Sequence, residues 1–598
     1  MKNRFRKLLT PAAALGAIAI AVAIVAILAA PVARAAAPGY ARAAGYTLTT
    51  GPSLDELVSN RIALQASIAD ELPAGVLANP VMVNLTADET KDLSDRELAT
   101  AFRGPAVVGL TKSMNAHVRF TDLDSRLIST TPRRTSVGTA QLTSDGGFIW
   151  ALAVRSQDAS GMRLHLKNVD LPSAADLYWM NMSGEIYGPY QGRGYNGNGD
   201  FWTHTISGSE GVLVLRHYGP NGAAEMQHSQ FVISDLGHVG PAFAGVLGAS
   251  AETFCSYNAS CVLNASCSTT DPPANPAKNA VARMQWISGP YIYTCTGGLI
   301  ADTAQSGTRN FLTANHCLST NSVASSLETY FQYSIPCGAT CPGQLSPGGT
   351  RVAGASVQST STGGDYTLLL LSSNDALPSG TVFLGWNSSP IANTNGAALY
   401  RISHPAFAPQ AYSRHSVDTS APTCTGWPRG QRIYSRDQEG ATEGGSSGSP
   451  VLNANSEIVG QLSGACGYNT GNACDAVSNA TVDGAFAYYY SNISSILDNG
   501  GGGCTPTENP EVSCSDGIDN DCDGLTDSAD PDCTPTCTPT ENPEVSCSDG
   551  IDNDCDGLTD GADPDCQQMC SPVGATCSSN SDCCSNKCRG RRSTKTCR

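Results

Sequence analysis

The chain has 598 residues, 24 cysteines and a formal net charge of −18. Such a length exceeds what one hydrophobic core can organise, so several domains are expected, and the cysteine density excludes a reducing compartment as the working location. The acidity is local: residues 504–566 hold 18 Asp and Glu and no Lys or Arg, leaving 35 acidic against 35 basic residues elsewhere. No basic face with interleaved aromatics remains, so a nucleic-acid partner is excluded.

The first residues read as an export signal. Lys2, Arg4, Arg6 and Lys7 precede an apolar run from Ala12 to Ala30, and Ala33-Arg34-Ala35 supplies a small-x-small cleavage pattern, giving a signal peptide over residues 1–35. No later segment is apolar enough to span a bilayer. A secreted or extracellular protein without a membrane span is the expectation.

Residues 36–248 contain no cysteine and change character along their length. LSDRELATAF at 93–102 reads as helix with Ser94 as its N-cap. After about residue 115 the period changes to that of strands: FIWALAV (148–154), MRLHLK (162–167) and GVLVLRHY (211–218) are separated by Gly-rich turns. The expectation is a propeptide or accessory domain with a helical start followed by a β-sandwich. The aromatic, Gly-rich stretch YGPYQGRGYNGNGDFW (187–202) is read as core and turn residues rather than a sugar-binding face.

Residues 249–499 hold ten cysteines and three motifs that belong together. FLTANHC leads into His316, GGDYTLLLL puts Asp365 at the mouth of an apolar strand, and GATEGGSSGSPVL contains Ser447. A serine hydroxyl is a weak nucleophile until an imidazole takes its proton, and the imidazole needs a carboxylate to fix its tautomer. The order His, Asp, Ser supplies all three parts. The loop around Ser447 resembles the nucleophile loop of serine proteases, which implies that the backbone amides of Gly445 and Ser447 form an oxyanion hole, with glycine tolerating the turn that brings them together.

These motifs resemble those of chymotrypsin-fold serine proteases: TANHC the histidine motif, GDYTLL the aspartate motif and GGSSGSP the nucleophile loop. The spacings of 49 and 82 residues, the pair His404-Pro405 and the strand IVGQLSG are similar to the secreted bacterial lysyl endopeptidase branch in particular. The resemblance implies a mainly β protein, with a chymotrypsin-like double β-barrel preceded by a β-sandwich-type pro-domain and followed by small disulfide and calcium modules. It implies a secreted serine endopeptidase made as a proenzyme, acting on protein or peptide substrates without a catalytic cofactor. The rival reading is a catalytically silent extracellular binding or adhesion protein that keeps the fold as a scaffold.

The same resemblance implies a disulfide between Cys295 and Cys317 across the histidine loop. It directs Cys255 to Cys466 or Cys474 and Cys261 to Cys337 or Cys341, leaving Cys267 and Cys424 without counterparts. Its specificity pocket departs from the branch. Counting from Cys474 puts the selecting carboxylate on Asp483, whereas aligning on Gly484 puts Thr481 there and leaves the pocket neutral. Ala441 stands where trypsin-like enzymes carry an aspartate, Ser463 replaces a histidine, and Trp427 matches a pocket-wall tryptophan. From His217 to Ala277 there is no Lys or Arg, so an enzyme that requires a basic residue before the cut would not release itself there.

Four glycines, residues 500–503, form a linker. Beyond it CTPTENPEVSCSDGIDNDCDGLTDSADPDC (504–533) recurs almost unchanged at 537–566. In each copy aspartates occupy positions 1, 3, 5, 9 and 12 around a glycine at 6: Asp519, Asp521, Asp523, Asp527 and Asp530, then Asp552, Asp554, Asp556, Asp560 and Asp563. Hard oxygen donors curled around a sharp bend are a calcium loop, similar to thrombospondin type 3 repeats, and Ca2+ is the expected structural ion. The final module, residues 567–598, resembles an inhibitor cystine knot, which implies Cys570–Cys584, Cys577–Cys588 and Cys583–Cys597. Its basic end offers contact with a cell surface or polysaccharide.

Overall fold

The computed structural model describes residues 40–498, apart from 101–103, 121–128, 221, 241–253, 256, 269–270, 340 and 342–348, together with parts of 573–598. They are mainly β and fall into two compact units, those within 40–300 and 309–490, and those within 301–308, 491–498 and 573–598. The calcium-loop aspartates, Cys570 and Cys584 lie outside the described residues.

The N-terminal half of the first unit is a sandwich whose central strand explains its own sequence. Phe148–Arg155 is buried on both faces, so it reads as an apolar run and not as alternation. Phe148, Trp150, Leu152 and Val154 face the sandwich core with Leu164, Leu166 and Leu236, while Ile149, Ala151 and Ala153 meet Ile68 and Val76 beneath the helix Leu54–Asp70. That helix starts at a capping box, with Ser53 Oγ accepting the Glu56 amide and the Glu56 carboxylate accepting the Ser53 amide. The aromatics of the 187–202 stretch are core residues: Tyr187, Tyr190, Phe201 and Trp202 are all buried.

The second helix begins earlier than the sequence suggests. It spans Ala87–Thr100, and Thr86, not Ser94, caps it: Thr86 Oγ1 accepts the Glu89 amide and the Glu89 carboxylate accepts the Thr86 amide. A T-x-x-E box satisfies two end amides at once, which Ser94 inside the helix cannot do.

The central region forms two closed antiparallel rings of strands. In the first, Val281–Ser288 pairs with Tyr291–Leu299 and Glu328–Phe331, Asn310–Thr313 bridges Tyr291–Leu299 to Tyr366–Leu371, and Ala355–Ser361 pairs with the latter. Gly354, at φ +86°, turns the corner between Thr350–Ala353 and Ala355–Ser361 and so closes the ring. In the second, Ile458–Gly467, Pro450–Leu452, Ala398–Ser403, Ala411–Val417, Arg432–Glu439 and Asn479–Ala485 pair in that order, and the last returns to the first.

The sandwich and the first barrel share a sheet. Ala106–Arg119 pairs with Gln230–Val239 on one edge and with Tyr291–Leu299 on the other, with Leu110 opposite Tyr291 and Ala106 opposite Thr294. The contact is also strongly polar. Arg351 reaches Glu185 at 3.0 Å, and the Glu328 carboxylate accepts the Thr205 amide at 3.0 and 3.1 Å. Burial opposes ionisation of Glu328, but Arg163 and Arg351 beside it hold its carboxyl below the usual range.

In the second unit the Thr303 amide donates to the Leu497 carbonyl at 2.9 Å. The strands Cys588–Arg591 and Thr594–Cys597 form a hairpin, and Cys577–Cys588 and Cys583–Cys597 are bonded.

Glu97, on the helix Ala87–Thr100, is only 7% exposed, and burial pushes its carboxyl up to about 8 from 4.5. The folded protein therefore keeps a proton that the unfolded chain releases, so this contribution is complete below 4.5 and is lost as the pH rises towards 8. Glu97→Gln is expected to raise Tm over wild type by several degrees above pH 8, with the gap closing near pH 5 in thermal melts.

Candidate active site

The three motif residues meet at the seam between the barrels, lining one cleft of about 700 Å3. His316 follows the strand Asn310–Thr313, whose apolar residues are buried in the first barrel. Cys317 is bonded to Cys295, which ties the histidine turn to the neighbouring strand. Closing a loop of that size stabilises by about 3 kcal/mol.

Asp365 lies directly under the imidazole. Its carboxylate oxygens stand 3.0 and 2.9 Å from His316 Nδ1, and it also accepts the His316 backbone amide at 3.1 Å. The residue adopts φ +53°, a left-handed conformation that aspartate tolerates better than most side chains. Gln461, from the second barrel, holds that turn: its Nε2 donates to the carbonyls of Gly364 at 3.1 Å and Asp365 at 2.8 Å. The Tyr489 hydroxyl donates to Gln461 Oε1 and fixes the amide orientation.

Ser447 sits in a loop that needs glycine at two positions around it. Gly445 and Gly448 have φ of +92° and +81°. A Cβ on Gly448 would stand 2.2 Å from Thr313 Oγ1 and 2.4 Å from the Thr296 carbonyl. The loop is clamped to the first barrel by Thr296, whose amide donates to the Ser447 carbonyl at 2.9 Å and whose hydroxyl donates to the Gly445 carbonyl at 2.8 Å. Glu443 anchors its start, accepting Asn258 Nδ2 at 2.8 Å and the Ala259 amide at 2.9 Å.

Nδ1 of His316 is committed to Asp365, while its buried Nε2 has no hydrogen-bond partner among the described residues. That nitrogen is the one a neighbouring hydroxyl would use. Active-site hydrogen bonds of this kind tighten when substrate is bound. The Gly445 amide is already engaged, donating to the Gly104 carbonyl at 3.1 Å. Gly104 belongs to the N-terminal region and lines the same cleft.

The expected pocket residues divide. Trp427 and Ser463 line the cleft. Asp483 does not: it is fully buried, and Arg401 Nη2 stands 2.5 Å from its Oδ1. Its position on the strand turns it inwards to that cation. Ala441 is also withdrawn, packed with Val262 and Ala411 behind the loop. Thr481 does line the cleft, and beside it is Asp437, a carboxylate that no sequence motif marked.

The disulfides correct the expected partners. Cys255 joins Cys341 and Cys261 joins Cys474, because Cys267 takes Cys337 and Cys424 takes Cys466. The two cysteines without counterparts capture partners from the expected set, with Cα atoms 4.8 and 5.8 Å apart. Seven disulfides among the described residues agree with an oxidising, extracellular setting. No described helix is long and apolar enough to cross a membrane.

Residues 256–479 match the family model for the C-terminal domain of lysyl endopeptidase. The comparisons support a serine protease. The lysyl endopeptidase of Pseudomonas aeruginosa is 27% identical over 348 residues, covering 56% of this chain and 70% of that protein. Secreted RxLR effector protein 73 of Plasmopara viticola is 29% identical over 278 residues, and the chain spans 64% of its length. Among solved structures, the active form of the Rv3671c protease from M. tuberculosis overlaps 40% of this chain and 91% of its own, at 15% identity and a TM-score of 0.27. The HtrA-type protease AlgWS227A with tripeptide covers 38% and 63%, at 14% identity and a TM-score of 0.28.

Gln461→Leu should leave the protease domain folded but leave the carbonyls of Gly364 and Asp365 unpaired, each a loss of about 1–3 kcal/mol. With Asp365 free to shift, kcat is expected to fall about a hundredfold with KM little changed in steady-state peptide assays.

Proposed function

We propose that the chain is a secreted serine endopeptidase made as a proenzyme, hydrolysing peptide bonds through His316, Asp365 and Ser447. The observation that carries this reading is the His316–Asp365 pair, with its unpaired Nε2, in the same cleft as Ser447 within a domain homologous to lysyl endopeptidase. His316 takes the Ser447 proton as Oγ attacks the substrate carbonyl, and Asp365 fixes the proton-bearing Nδ1 and stabilises the imidazolium that forms. The amides of Gly445 and Ser447 take up the charge on the carbonyl oxygen. Collapse breaks the C–N bond, His316 passes its proton to the leaving amine, and water repeats the sequence on the acyl-enzyme.

The proenzyme part of the reading rests on Gly104. Its carbonyl accepts the Gly445 amide at the position where a substrate oxyanion would need that donor. The next residue, Pro105, leads into Ala106–Arg119, which pairs with the first barrel and anchors the plug. Residues 36–248 therefore act as an inhibitory prodomain until removed. Calcium in the acidic repeats and surface contact through the basic tail belong to the same proposal and rest on the sequence alone.

A fluorophosphonate probe tests both parts. Processed wild-type protein is expected to label on Ser447 and Ser447→Ala to show neither labelling nor peptide cleavage; equal cleavage by the two would sink the catalytic assignment. Unprocessed chains should label at least about a hundredfold more slowly than processed ones. Equal rates would mean that the Gly104 contact does not block the site.

A further inference from the structure

The segment that closes the cleft also marks a path out of it. The Gly104 carbonyl stands on the Gly445 amide, where the carbonyl of the residue before a cut would stand. The chain then runs through Pro105 into Ala106–Arg119, which pairs antiparallel with the first barrel. Ala106 lies opposite Thr294, Val107 opposite Tyr293, Gly109 opposite Ile292 and Leu110 opposite Tyr291. Gly104 takes φ +66°, a turn that favours glycine, so what the segment shares with a substrate is its path and not the conformation of that residue. Counted from Gly104, Ala106 is the second residue after the cut and Val108 the fourth.

The edge under this strand has no other partner among the described residues. Tyr291–Leu299 pairs with Val281–Ser288 along one side. Along the other, Gly298 and Leu299 meet Asn310–Thr313, and residues 291–294 meet Ala106–Arg119. Removal of residues 36–248 therefore leaves an open stretch of main chain that begins beside the catalytic loop. Such an edge is a template for an added strand, in which main-chain pairing supplies affinity and side-chain pockets supply selectivity.

A pocket of the right kind lies against that edge. Val108, 3% exposed, packs in one cluster with Ile292, Tyr330, Tyr333 and Phe407 of the protease domain. The turn that carries Phe407 is strained: Ala406 and Phe407 adopt φ of +48° and +71°, conformations that residues with side chains rarely hold. It is also joined to the loop of Ser447, because the Ala406 amide donates to the Gly444 carbonyl at 2.6 Å. Beneath Phe407 is Arg283, whose guanidinium carbon lies 3.9 Å from the centres of the Phe407 and Tyr330 rings. Arg283 is fully buried, and none of its side-chain nitrogens has a hydrogen-bond partner among the described residues. The rings hold that cation, and the cation holds the rings in place.

We propose that residues 291–294 of the processed protease bind the part of the substrate after the cut as an added β-strand, and that the pocket of Ile292 and Phe407 selects an apolar side chain at its fourth residue. This rests on the protease and proenzyme reading above. Val108 occupies the pocket in the unprocessed chain and gives way to the substrate once the N-terminal region is removed.

The test uses secreted, processed wild-type protein, with active sites counted by fluorophosphonate labelling. Quenched fluorescent peptides are built on a bond that the protein cuts in a mixed peptide library, and they differ only at the fourth residue after it: Val, Leu, Ala, Asp or Lys. Val and Leu are expected to exceed Asp and Lys by about tenfold in kcat/KM. Ile292→Ala should narrow the ratio of Val to Asp to less than about threefold. Equal rates across the wild-type series would overturn the assignment, as would an Ile292→Ala protein that keeps the full ratio. Faster cutting with Asp would also overturn it, giving the position to Arg283. A peptide of residues 104–112 needs neither substrate nor variant: it should slow labelling of the wild type more than its Val108→Asp form does, and equal effects would count against the pocket. Wild-type protein that labels but shows no dependence on the fourth residue sinks this inference alone. Protein that neither labels nor cuts sinks the protease reading as well.

Discussion

The site depends on a seam in which each barrel holds a cleft loop of the other. Gln461 of the second barrel secures the turn carrying Asp365 in the first, and Thr296 of the first secures the loop carrying Ser447 in the second. The left-handed Asp365 and the glycines at 445 and 448 are conformations that an isolated peptide would not hold. They persist because hydrogen bonds from the facing barrel over-determine them. Positioning of this kind is what converts a weak hydroxyl nucleophile into a useful one.

Electrostatics in the second barrel follow from pairing across strands. Asp483, Arg401, His415 and Asp437 form one buried row, in which the arginine answers the first carboxylate and the histidine separates it from the second. A buried ion pair adds little net stability, but an unmatched buried charge is costly. Asp437 stands at the cleft edge, about 15% exposed, with His415 Nδ1 at 2.8 Å and the Thr481 hydroxyl donating to it at 2.7 Å. The same arrangement leaves Asp483 with its own cation already beside it.

The N-terminal sandwich shares a sheet with the first barrel and meets it through buried charges. Main-chain pairing gives register and reach, and that register carries Gly104 to the Gly445 amide. Interfaces rich in charge resemble those between separable partners more than a divided hydrophobic core. Apolar clusters that join Val107, Val108 and Leu110 to Tyr291 and Ile292 complete the contact.

By itself the sequence marked the residues that the structure brings together in one cleft. His316, Asp365 and Ser447 lie in short motifs whose neighbours, FLTA, YTLLLL and the glycines around Ser447, are local requirements of strand, strand and turn. The β-rich organisation was legible for the same reason, since strand periodicity and Gly-rich turns are local. Tertiary structure alone decided the rest. The partners of Cys255 and Cys261, the withdrawal of Asp483 behind Arg401, the arrival of Asp437 beside Thr481 and the reach of Gly104 into the cleft all depend on strand register between distant segments. One residue of slip sends a side chain to the opposite face of a strand. No local pattern fixes that register, because it is set by which long-range pairings close the two barrels.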